Sequence, residues 1–162
     1  MAKTRWLDDE EQATWRSFLL ASRMLMDRVE RDLKQDAGLS FAYYDVLSRL
    51  SEAPGRSMRM ADLAAACVFD RSRTSHAVDR LVRDGWVRRE EAAGDARGQF
   101  AVLTPEGVKE VRRIARRHVE QVRSLVFDRL SPAQRDSLRE ISGVLAEGMA
   151  DDAALARMGW PG

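Results

Sequence analysis

The sequence holds one cysteine, Cys67, and two histidines, His76 and His118, among its 162 residues. A lone thiol closes no intramolecular disulfide, and two separated histidines give no ligand spacing for structural zinc, so neither staples nor metals organise this chain. No apolar run approaches the roughly 18 residues that a membrane span requires. The charged opening Met1 to Glu11 lacks an apolar stretch ahead of a small-residue cleavage site, which places the chain in the cytoplasm with no membrane partner. Also missing are Gly-x-Ser-x-Gly, His-Glu-x-x-His and the phosphate-cradling Gly-x-x-x-x-Gly-Lys. The two histidines fall on different helical segments, so nothing assembles a catalytic centre and no cofactor is expected. Excess charge of one sign is absent too: the net charge is +1, which argues against a nonspecific polyelectrolyte binder.

What is present suffices for one domain with a real core, since 44% of residues are hydrophobic and 33% charged. The charge is segregated along the chain. Residues 1–70 carry 10 basic against 12 acidic side chains, residues 71–117 carry 12 against 7, and residues 118–162 carry 5 against 7. A basic middle with mildly acidic flanks points to one face for a polyanion and other faces for something else.

Periodicity predicts helices almost throughout. Trp15, Phe18, Leu19, Leu25, Met26, Val29 and Leu33 recur at spacings of three and four, with acids at 8–11 to open the helix and Gly38 to close it. Ser40 is the expected N-cap of a second helix carrying Phe41, Tyr44, Leu47 and Leu50, which ends before Pro54-Gly55. A short helix follows from about Met60, and another spans Ser72 to Asp84 before Gly85. The period then changes. Trp86–Glu90 and Gln99–Leu103 read as two strands around the turn-rich stretch 93–98. Thr104-Pro105 and Ser131-Pro132 each place an N-cap before a proline at the first helical position. They start a long helix expected to run to Leu130 and a last one bearing Leu138, Ile141, Leu145 and Met149. The tail from Asp151 to Gly162 lacks a clear stripe except around Ala153 to Met158, and is expected to fray.

Short helix, turn, second helix and two-stranded hairpin is the order of a winged helix-turn-helix, whose second helix enters the major groove. The predicted fold is therefore mainly α with a small β-hairpin wing, the reading module occupying residues 40–104 of one domain spanning 1–162. At 100° per residue, Thr74, Ala77, Val78, Leu81 and Val82 of the second helix gather on one side, while Ser72, Arg73, His76, Arg80 and Arg83 point the other way. Arginine and hydroxyl side chains suit base edges and phosphates. At the hairpin tip, Arg97 is placed to enter the minor groove, with Asp95 holding it by a charge-assisted pair. The flanking helices, 8–37 and 105–150, carry stripes that the reading module does not use. Pairing them across a two-fold axis buries those stripes and sets two reading helices roughly 34 to 36 Å apart. A homodimer on a pseudo-palindromic duplex is the expected assembly, and an intramolecular bundle with a monomeric reader is its alternative.

Several segments in order, Tyr44-Asp45-Val46-Leu47, Met60-Ala61-Asp62-Leu63-Ala64, Asp79 to Val87 (Asp-Arg-Leu-Val-Arg-Asp-Gly-Trp-Val), Asp95-Ala96-Arg97 and Leu103-Thr104-Pro105-Glu106-Gly107, resemble the multiple antibiotic resistance regulator (MarR) family over roughly residues 15–148. The resemblance implies a bacterial dimeric winged-helix transcription factor, usually a repressor released by a small aromatic or phenolic ligand. It puts Ser72, Arg73, Ser75, His76 and Arg80 on the recognition helix and Asp95 and Arg97 on the wing. His76 stands where the family commonly has arginine, which introduces a titratable group there. The resemblance also implies a ligand pocket between the dimerisation helices and the reader, with Trp15, Phe18, Tyr43 and Tyr44 as lining and Asp45 as a polar handle. Cys67 lies in a small apolar helix, where a core role outweighs thiol sensing. A winged-helix module that binds a protein partner without specific DNA contact is the alternative function.

Overall fold

The computed structural model describes residues 4–92 and 95–159, with side chains described outside residues 92–98. α1 (Asp9–Ala37) is opened by a reciprocal cap, in which the Glu11 amide donates to Asp8 Oδ1 at 2.8 Å and the Asp8 amide donates to Glu11 Oε2 at 3.0 Å. It is closed by Gly38 at φ +66°, a left-handed conformation that glycine adopts without strain. α2 (Phe41–Glu52) begins at Ser40, yet the serine hydroxyl makes no cap bond. The Phe41 amide donates instead to Glu30 Oε2 of α1 at 2.7 Å, so the second helix is capped from the first.

A strand that the sequence did not announce comes next. β1 (Ser57–Arg59) has three residues and no alternation to reveal it, and it exists because Met58 lies opposite Ala101 on the edge of the wing. α3 (Met60–Ala66) and α4 (Arg71–Arg83) form the helix-turn-helix, the second capped by Asp70, whose Oδ1 accepts from the Arg73 amide at 2.7 Å. β2 (Val87–Ala92) and β3 (Asp95–Leu103) pair antiparallel, with Val87 opposite Leu103. The wing is thus a three-stranded sheet in the order β1-β3-β2 rather than a hairpin alone.

α5 (Pro105–Leu125) starts at the predicted cap, Thr104 Oγ1 accepting from the Gly107 amide at 3.0 Å and donating to the Gly85 carbonyl at 2.8 Å. It ends earlier than expected, breaking at Val126 into a 3-10 turn, Phe127–Arg129. α6 (Pro132–Met149) opens with a capping box between Ser131 and Gln134. The tail folds as well: α7 (Asp152–Arg157) packs on α3, buries Leu155, and receives a bond from Arg49 Nη1 to the Met158 carbonyl at 2.6 Å. Tertiary contact overrides the weak local pattern there.

The core is centred on the winged helix-turn-helix. Val29 and Leu33 of α1, Val46, Leu47 and Leu50 of α2, Leu63, Val78 and Leu81 of the helix-turn-helix, Ala101 and Leu103 of the wing, and Val108, Val111 and Ile114 of α5 form one cluster. Asp36 fastens α1 to α5, accepting from Arg117 Nη1 at 2.8 Å and Gln121 Nε2 at 3.1 Å. By contrast, the stripe in the first half of α1 stays open, with Trp15, Phe18, Met24 and Met26 exposed. None of the described residues of α6 is buried. No helix among the described residues is long and apolar enough to cross a membrane.

Candidate nucleic-acid interface

α4 sorts its side chains as its periodicity dictates. Thr74, Ala77, Val78 and Leu81 are buried, while Val82, expected among them, is exposed at the edge of the packed face. Directly opposite the packed face run Ser72, His76, Asp79 and Arg83, all exposed. Arg73 and Arg80 stand on the shoulder of this line. The Arg73 guanidinium carbon lies 4.2 Å from the centre of the Phe69 ring, and Arg80 Nε bonds Asp84 Oδ2 at 3.0 Å.

An acidic residue on a face suited to DNA calls for a reason, and Asp79 has one in Arg89 of β2. Arg89 Nη2 donates to Asp79 Oδ1 at 2.7 Å and to Ser75 Oγ at 3.1 Å, while its Nη1 donates to Gln99 Oε1 at 2.7 Å. One guanidinium therefore ties the helix to two strands of the wing and neutralises the only carboxylate on the outward line. Ser75 is half-buried and occupied by this clamp, unlike Ser72 and His76. Arg89, Asp79 and Gln99 were not among the expected site residues, because a bond between a helix and a strand ten positions away leaves no periodic trace. The side chains of Asp95 and Arg97 lie outside the described residues, and their backbone belongs to β3.

The expected effector residues do not converge. Trp15 and Phe18 face each other on α1 with ring centres 6.1 Å apart, both half exposed. Tyr43 packs at the margin of the core. Asp45 is engaged with Arg49 at 3.4 Å and sits beside Cys67; burial raises its pKa, with Arg49 pulling the other way. Cys67 is buried, and that burial, together with the neighbouring Asp45 carboxylate, pushes the thiol up to about 12, which leaves it protonated and unreactive. Tyr44 lines a cavity of about 310 Å³, walled by α2 and α5 with Ser48, Glu52, Arg56 and Arg112 among its polar groups.

His118 of α5 stacks obliquely on Tyr44 with ring centres 4.7 Å apart, and its Nδ1 is buried with no hydrogen-bond partner among the described residues. Burial lowers its pKa below the ordinary histidine value. The unfolded chain then takes up a proton at a higher pH than the folded one. This contribution to stability is complete above about pH 6.5 and is lost progressively as pH falls below that value. Urea unfolding between pH 5 and 8 is expected to show the decline, and His118→Leu is expected to remove that part of it; parallel pH profiles for the two proteins contradict the assignment.

A profile of the MarR family matches residues 37–98. Over 122 residues, 74% of this chain and 72% of the other, the sequence is 29% identical to the HTH-type transcriptional regulator PecS of Dickeya dadantii. It is similar to the crystal structure of Sco3205, a MarR family transcriptional regulator from Streptomyces coelicolor, in complex with DNA: 49% identity, TM-score 0.89, 93% of this chain and 94% of that one covered. It is similar as well to AbsC, a MarR family transcriptional regulator from the same organism, at 42% identity and TM-score 0.85 over 90% of this chain and 98% of that one.

Proposed function

Because the chain belongs to the MarR family of transcriptional regulators, we propose that it binds a pseudo-palindromic DNA operator as a homodimer and represses transcription from it. α4 enters the major groove with Ser72, His76 and Arg83 foremost, Arg73 and Arg80 contact the duplex from the shoulders, and Asp95 and Arg97 bring the wing to the adjacent minor groove. Ser75 serves by anchoring the helix through Arg89. The observation that carries this reading is the outward line of α4, whose one acid is already neutralised, leaving hydroxyl, imidazole and guanidinium groups for bases and phosphates. Similarity to a regulator described in complex with DNA supports it.

Residues 8–37 and 105–150 serve as dimerisation helices. Their support is the set of apolar side chains left open on α1 and α6, among them Phe18, Met24, Ile141 and Val144. The protein works in the cytoplasm, where the DNA is, and catalyses no reaction. A small aromatic effector releases it, entering the cavity beside Tyr44, where a ring finds an aromatic wall and Arg112 a carboxylate or phenolate.

The test is fluorescence anisotropy of the full chain against the upstream DNA of its own gene, at several salt concentrations with nonspecific competitor. Saturable binding of one dimer per duplex that survives competitor is expected. Weak binding that competitor abolishes favours the partner-protein alternative and overturns the operator reading for that promoter.

A further inference from the structure

The turn that joins the two helices of the reader is built in an unusual way. Phe69 donates its amide to the Ala64 carbonyl at 3.0 Å and Val68 donates to Ala65 at 3.1 Å, closing the end of α3. To do so Val68 adopts φ +54°, a left-handed conformation that a β-branched residue rarely takes. Asp70 then returns to extended backbone and caps α4. The strained step at Val68 sets the following residue, Phe69, between the core on one side and the first turn of α4 on the other. There the aromatic ring lies under the guanidinium of Arg73.

Arg73 needs such a support. It stands on the shoulder of α4 rather than on its outward line; Asp70 Oδ1 takes the Arg73 backbone amide, and Glu30 of α1 feels the charge of Arg73. Glu30 is itself occupied, accepting from the Phe41 amide at 2.7 Å and pairing with Lys34 Nζ at 3.1 Å. Burial alone raises the pKa of Glu30, but the Phe41 amide, Lys34 and the field of Arg73 together hold it below the usual carboxylate range. With the acids satisfied elsewhere, the ring holds the arginine. A guanidinium held over a ring is attracted by the ring's electron density and keeps its N–H donors available to other acceptors.

We propose that Phe69 is a specificity-determining positioning residue for DNA reading: by stacking under Arg73 it presents the hydrogen-bonding edge of that arginine to the duplex at the N-terminal end of α4. The inference rests on the operator reading given above. A fixed planar edge matches two acceptors of one base and mismatches other pairs, whereas a freely rotating cation attracts any phosphate. Phe69 therefore acts on discrimination more than on overall attraction.

The experiment uses a duplex selected from a random library by the full wild-type chain, and a scrambled duplex of equal composition, read by anisotropy. Phe69→Leu is expected to weaken binding to the selected duplex by about threefold to fivefold while leaving the scrambled duplex within about twofold. Phe69→Tyr keeps the ring and is expected to restore wild-type affinity, and Arg73→Lys, which keeps charge but loses the flat edge, is expected to reproduce the loss. In an Arg73→Ala background, Phe69→Leu is expected to add less than about twofold. A cost that persists undiminished in that background, or that falls equally on both duplexes, shows that Phe69 acts by packing alone and overturns the proposal. An Arg73→Ala chain that binds the selected duplex as wild type overturns it too, while the operator reading stands. A wild-type chain that selects no duplex defeats the operator reading itself.

Discussion

Replacing Gly107 by alanine is expected to cost about 3 kcal/mol of stability and to lower the melting temperature by about 10 °C. Gly107 is buried in the first turn of α5, where a Cβ would stand 2.1 Å from the Trp86 carbonyl oxygen, 2.9 Å from its carbon and 2.8 Å from Leu103 Cδ1. A side chain can turn away from such a collision, but this carbonyl is pinned. It accepts from the Thr104 amide at 3.0 Å, and the Trp86 amide is bound to the Leu81 carbonyl at 3.0 Å. α5 must then lift from the base of the wing, breaking the Thr104 bonds to Gly85 and to Gly107. Because the same junction sets the wing relative to α4, DNA affinity is expected to fall with stability. Gly148→Ala is the internal control: its Cβ would meet nothing within 4 Å on α6, and the gain in helix propensity is expected to stabilise by up to about 1 kcal/mol. Thermal melts of both variants give the answer, and a Gly107→Ala chain that melts like wild type refutes the close approach.

If the chain pairs through α6 as proposed, the double change Ile141→Asp with Val144→Asp is expected to convert the proposed dimer to a monomer and to lower affinity for its DNA on the order of a hundredfold. In the single chain Ile141 is 57% and Val144 66% exposed, so neither aspartate disturbs the core, and far-ultraviolet circular dichroism is expected to stay near wild type. In the assembled protein two uncompensated carboxylates would have to leave water in each protomer, a penalty of several kcal/mol per ion. Light scattering on the purified variant decides between outcomes. A variant that remains dimeric places the interface elsewhere, and a variant that loses its helical signal shows that α6 packs within its own chain.

The local rules of chain geometry made much of this fold legible. The acids before α1, Gly38 after it, and the Thr104-Pro105 and Ser131-Pro132 starts all form the caps that their residue types suggest. The two faces of α4 were visible in the spacing of Thr74, Ala77, Val78 and Leu81. What escaped is what depends on partners distant in sequence. β1 owes its existence to β3, α7 to α3, and the N-terminus of α2 to Glu30, which displaced the hydroxyl of Ser40. The binding face shows the same division. That α4 would be a helix with one exposed polar face followed from order and periodicity, but the clamp of Arg89 on Asp79 and Ser75 joins elements whose proximity only the folded chain defines. A helical wheel sorts Arg73 as outward without telling that an aromatic ring holds it.

The docking of the tail has a practical consequence for handling the protein. Leu155 is buried against the body and Arg49 Nη1 donates to the carbonyl of Met158, so Met158 and Gly159 lie next to α3 rather than at the open end of α6. A dye attached at Met158 therefore sits beside α3, the counterpart of the helix that crosses the sugar-phosphate backbone in helix-turn-helix complexes. A fluorophore in that place is expected to act as a reporter, brightening or dimming as a duplex arrives.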